Sequence, residues 1–194
     1  MSKEPASDST SEASPGAMRA FAVGWVVTAA LAAGGANAQQ VCGGATDHRS
    51  APTARFVDNG DGTVTDMESK LMWLHCSAGQ AWEAGRCHGD VERLSWAAAQ
   101  SLASDVNRGG AAFFNDWRLP QLRELATITE RECANPRVNL AVFPGTEAGG
   151  YWSATSRPGT RDETSAYILS FGAEGIAYVA KDETHRVRLV RSAQ

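Results

Sequence analysis

The chain has 194 residues and a formal net charge of −4 at neutral pH. It contains no run of basic residues, so bulk electrostatics argue against a nucleic-acid binder, which needs a clustered cationic face. All four cysteines lie beyond residue 41.

Residues 1–17 are rich in Ser, Pro and Glu and are expected to be disordered. Met18 reads as the start of translation. Arg19 then precedes a short apolar run rich in Ala and Gly, and Ala36-Asn37-Ala38 places small residues where a signal peptidase cuts. The pattern predicts a secretory signal peptide over 18–38. The run is too short and weakly apolar for a membrane span, which needs ~20 strongly apolar residues. The single Arg19 does not make a twin-arginine signal, and Val41 before Cys42 does not suit a lipid-attachment box. A secreted or periplasmic protein follows, meeting the membrane only through its transient leader. Cleavage would leave 156 residues with a charge of −3, enough for one domain.

In an oxidising compartment, Cys42, Cys76, Cys87 and Cys133 are expected to form two disulfides. Four cysteines allow three pairings. Cys76 with Cys87 closes the shortest loop, leaving Cys42 to tie the mature N-terminus to Cys133. A zinc site from His75-Cys76 and Cys87-His88 is disfavoured. Adjacent residues on an extended segment point apart, and the spacing is unlike the short Cys-to-Cys gaps of structural zinc.

Residues 39–53 read as a polar N-terminal arm, with the domain proper over 54–191. Asp58-Asn59-Gly60-Asp61-Gly62 separates β-prone segments and predicts a hairpin turn. A calcium loop fits worse, since its first ligand position falls on Val57. Leu71 to Leu74 is a further short strand, and Ser77 to Arg86 is a loop. Ser95 caps a helix through Asn107 with Trp96, Leu102 and Val106 on one face, ended by Gly109-Gly110. Pro120 fits the first turn of a second helix running to about Glu130. Asn135-Pro136 opens an irregular stretch to Gly150. Four strands are predicted at 151–153, 166–171, 176–180 and 187–191, giving an α+β chain. There is no internal repeat and no Gly-rich phosphate loop.

Phe56 to Asp66, Leu71-Met72-Trp73, Asp116 to Pro120 with Glu124-Leu125, Asn135-Pro136 with Asn139, Phe143-Pro144, Tyr151 to Ser153 and Val187 to Arg191 occur in a defined order. In this the chain resembles the Legionella collagen-like protein (Lcl) C-terminal domain family. The resemblance implies a C-type-lectin-like fold, with two helices packed on a short-stranded, antiparallel, irregular sheet. It also implies an exported or surface-displayed module, since the namesake is an adhesin for sulfated polysaccharide. This chain lacks a Gly-X-Y stalk and is net acidic, so the resemblance carries the fold further than the ligand.

Trp73, Trp82, Trp96, Trp117 and Trp152 are expected to build the core, with Trp82 the most exposed. Asp116 and Arg118, flanking Trp117, are expected to pair and position the second helix. The histidines (His48, His75, His88 and His185) are scattered, and Ser153 and Ser156 lack an evident base, so no catalytic residue, cofactor or metal ligand is assigned. A ligand face is sought on Trp82 and on a basic patch of Arg157, Arg161, Lys181, His185 and Arg186. Against it stand Asp162, Glu163, Asp182 and Glu183, which favour ordinary solvated charge. The expected function is an exported, non-catalytic binding or adhesion module for a surface glycan or protein. The alternatives are an accessory structural domain of an envelope assembly and an exported hydrolase.

Overall fold

A computed structural model describes residues 40–43, 49–109, 111–156 and 164–193. The expected leader therefore lies outside the described residues. The first strand, β1 (Val41–Cys42), pairs antiparallel with β8 (Cys133–Ala134), setting Cys42 opposite Cys133. The two are bridged, as are Cys76 and Cys87, so the pairing expected from loop closure is the one found. Gln40 reinforces the attachment of the arm, its side-chain amide donating to the Pro136 and Val138 carbonyls.

The opening meander forms as the turn chemistry predicts. Strands β2 (Phe56–Asp58), β3 (Thr63–Asp66) and β4 (Leu71–Leu74) pair in sequence. Between β2 and β3 the acidic residues accept backbone N–H groups within the turn: Gly60 donates to Asp58, and Thr63 to Asp61. Asp66 ends β3 fully buried and accepts from Arg55 and the Ser69 hydroxyl. Burial pushes its carboxyl up, but these hydrogen bonds outweigh it and hold it below the usual range.

The stretch expected to be a plain loop after Cys76 contains a hairpin, β5 (Ala81–Glu83) with β6 (Arg86–His88). Its two-residue turn has positive φ at both Ala84 (48°) and Gly85 (77°), the backbone sense that matches strand twist. A short β7 (Arg93–Leu94) leads into α1 (Trp96–Gly109), where the Ala98 N–H donates to Ser95 Oγ as a cap. The second helix, α2, is shorter than its apolar spacing suggested, spanning Leu122–Thr127. Pro120 lies before the cap rather than in the first turn; Gln121 is the cap residue, its N–H donating to Glu124. The helix stops because the chain turns at Ile128 and Thr129 pairs with Val138.

Strands β9 (Gly150–Trp152), β10 (Ser165–Ser170) and β11 (Ile176–Ala180) follow as predicted within a residue or two. Of the strand expected over 187–191 only the end pairs, as β13 (Val190–Ser192), and an unexpected short strand, β12 (His185–Arg186), precedes it. They belong to different sheets: β11-β10-β9-β12-β7 and β13-β4-β3-β2. Among the described residues, all strand pairings are antiparallel except β12 with β9. The architecture is thus mixed α and β, dominated by short-stranded sheets, with two α-helices and two disulfides among the described residues.

Two apolar clusters fill the interior. One gathers Phe56, Trp73, Leu125, Ile128, Phe143, Tyr151, Phe171 and Val190; the other gathers Ala99, Ala103, Trp117, Leu119, Trp152, Ile168, Val187 and Leu189. Neighbours Tyr151 and Trp152 fall in different clusters because strand side chains alternate. Each helix serves one of them, α2 the first and α1 the second.

Candidate ligand cleft

The arginines of the Arg186 to Arg191 segment are buried and engaged inside the protein. Arg186 donates from Nε and Nη2 to Glu147, at 3.0 and 2.6 Å. Gly149 makes room for it: at φ 118°, a Cβ there would sit 2.5 Å from Arg186 Nη1. Arg191 donates to Asp116 at 2.6 Å, its guanidinium 3.8 Å from the Phe114 ring centroid. Arg188, fully buried, donates to the Leu74 and His75 carbonyls and to the Ser77 and Thr146 hydroxyls. It also lies over the Phe143 ring at 4.8 Å. Burial lowers its pKa to about 10, which leaves it charged at neutral pH.

By gripping Leu74, His75 and Ser77, Arg188 fixes the chain just past β4, where a cleft opens. The cleft, about 270 Å³, lies between α1 and the Cys76–Cys87 loop. Leu102 and Val106 from α1, Leu74, Ala78, Leu189 and Ala112 give it an apolar lining, with Trp82 of β5 as its aromatic wall. Its polar side chains are Asp61, Ser77 and Gln80. Trp82 is held in place: its ring stacks on His75 at 4.1 Å, 9° from parallel. His75 in turn is fixed by the Val142 carbonyl at 2.7 Å and by Asp58 at 3.2 Å. Behind Trp82, its register partner Cys87 is bonded to Cys76.

The residues expected to bind ligand do not converge on this cleft. Trp82 does line it, half-buried rather than freely exposed. Lys181 lies over the Trp96 ring, its Nζ 4.2 Å from the centroid. His185 packs edge-on against Trp152 at 4.8 Å, with Nε2 3.4 Å from Glu183 but without a formed hydrogen bond. Burial pushes its pKa down. Arg186 is engaged with Glu147. Arg157 and Arg161 lie outside the described residues.

The structural assignments also shift. Trp73, Trp117 and Trp152 are core, as expected, whereas Trp96 is half-buried with its indole N–H donating to the Ser153 carbonyl. Asp116 and Arg118 do not pair with each other. Arg118 forms a two-pronged contact with Glu124 at 2.7 and 2.8 Å, clamping the start of α2, while Asp116 takes Arg191. The alternation that put both on one face could not reveal these distant partners. Ser153, buried, donates its hydroxyl to the Tyr167 carbonyl. Sequence reasoning missed the cleft residues Ser77, Leu102 and Val106 as a group. For Leu102 and Val106 the only signal was the apolar face of α1, which reads equally as core.

The molecule is thus a disulfide-stapled, mixed α and β chain with an aromatic-walled cleft among its described residues. The sequence profile of the Lcl C-terminal domain matches residues 62–191, and the chain belongs to that family. Comparison with curated proteins finds no match.

Proposed function

We propose that this chain is an exported, non-catalytic binding module of C-type-lectin-like fold that engages a glycan or protein at a cell surface. The observation that carries the reading is the cleft itself, a concave apolar site whose aromatic wall is locked by a disulfide and a ring stack. Preformed concavity with a few polar groups is the usual form of a recognition site. Two disulfides fit an oxidising compartment. Among the described residues, no helix is long and apolar enough to cross a membrane.

The test is binding of residues 39–194 to a glycan array and to immobilised envelope proteins at about 0.15 M salt. The expected result is at least one saturable interaction that survives this ionic strength and is lost in Trp82→Ala. Salt-labile retention on heparin alone would instead indicate a charged surface. Blank results on both supports would overturn the reading.

A further inference from the structure

We propose that the cleft between α1 and the β5–β6 hairpin is a subsite for one aromatic ring carrying no negative charge. The inference rests on the chain being a binding module, and it names the chemical group the cleft selects.

Size limits the ligand first. At about 270 Å³ the cleft is below the usual range for drug-sized ligands, ≈ 300–1,000 Å³. It exceeds the ≈ 150 Å³ apolar cavity known to accept benzene. One ring, single or fused, fits these bounds. The lining chooses the ring's character. Leu102, Val106 and Leu189 offer hydrocarbon and Trp82 offers a π surface, to which rings pack edge-on or offset.

Charge limits the ligand further. Asp61 lines the cleft, and no Lys, Arg or His does so among the described residues. The buried cation Arg188, hydrogen-bonded to the lining residue Ser77, has both terminal nitrogens donating to protein oxygens. An anionic ring would therefore lose its hydration with no cation to replace it and meet Asp61, whereas a neutral ring has little hydration to lose and a cationic one meets an opposite charge.

The rim adds an independent observation. Ala112, which lines the cleft, and Phe113 both hold positive φ, 50° and 65°. For a bulky residue this is an outlier, and such strain gathers at ligand sites. Phe113, next in sequence to that lining residue, has its side chain 97% exposed.

The experiment titrates residues 39–194 with indole, tryptamine and indole-3-acetate by calorimetry, with methyl and indole NMR shifts locating the contact. Saturable binding of indole and tryptamine is expected, shifting Trp82, Leu102 and Val106, with indole-3-acetate at least about tenfold weaker. Asp61→Asn should narrow that gap. Val106→Trp should abolish binding by filling the cleft; if it does not fold, Trp82→Leu serves the same purpose. Absence of saturable binding, equal affinity for the acetate, or shifts remote from the cleft would overturn the proposal. So would a dimer whose dissociation by Phe113→Ala exposes the cleft, since a second copy would then be its occupant. A blank glycan array with tryptamine bound would remove the glycan reading and leave the subsite standing.

Discussion

Arg188 shows how a cation is kept inside a protein without a carboxylate: among the described residues its partners are two carbonyls and two hydroxyls. Replacing it with Met would keep much of the volume and strip those four oxygens of their donor. Each buried acceptor left unpaired costs about 1–3 kcal/mol. Arg188→Met is therefore expected to lose at least about 3 kcal/mol in urea denaturation. Arg188→Lys should recover only part of that, because an ammonium lacks the planar fork that spans four acceptors. A loss below about 1 kcal/mol would mean water replaces the guanidinium freely. At this scale the sequence was legible for apolar residues and poorly so for charged ones. Trp73, Trp117 and Trp152 are where aromatic burial puts them. Arg186 looked like surface charge because Glu147 is 39 residues away, in a loop with no periodic signature.

At the scale of elements, the β5–β6 hairpin depends on its covalent closure. A two-stranded ribbon alone is marginal in water, and here the Cys76–Cys87 bridge ties the middle of β6 to the chain just past β4. Cys76→Ser with Cys87→Ser should cost about 3 kcal/mol by the loop-entropy model. It should also free the Trp82 ring from His75, visible as a loss of near-ultraviolet circular dichroism. An unchanged spectrum would show that the ring stack holds the hairpin unaided. The hairpin was hidden in the sequence because strands of three residues are too short for alternation to stand out and because Ala84 takes a backbone region usually left to Gly or Asn. Helix α1, with its Ser95 cap and apolar face, was plain. The end of α2 was not, since the bridge from Thr129 to Val138 overrides a helical spacing that continues to Ile128.

Across the whole molecule, buried titratable groups set the response to acid. Glu130 is fully buried; burial pushes its carboxyl up, but the Ala51, Ser50 and Glu132 N–H groups outweigh this and hold it low. Glu124 is likewise pushed up by burial and held low by Arg118 and the Gln121 N–H. With Asp66, these carboxylates contribute stability that is present above their unfolded values and lost as pH falls through the folded ones. His185 follows the same sign. Burial lowers its pKa from 6.5, so its contribution is present above 6.5 and lost as pH falls through the lowered value. Stability is thus expected to decline in two stages, one below 6.5 and a second below about 4.5. Tm measured against pH for His185→Gln should lack the first stage and keep the second. Retention of both would assign the upper stage to another group. The α+β class was legible from the order of elements. The division into two sheets was not, because one apparent strand, 187–191, conceals the crossing between them.

That crossing governs how the chain can be made. Residues 185–192 supply β12 to one sheet and β13 to the other, and Arg188 between them reaches back more than 110 positions to Leu74, His75 and Ser77. A nascent polypeptide still tethered to the ribosome with this segment hidden in the exit tunnel can complete neither sheet. Such late closure, dominated by contacts between distant parts of the sequence, makes for slow folding. It also keeps the chain threadable until synthesis has passed its final strands.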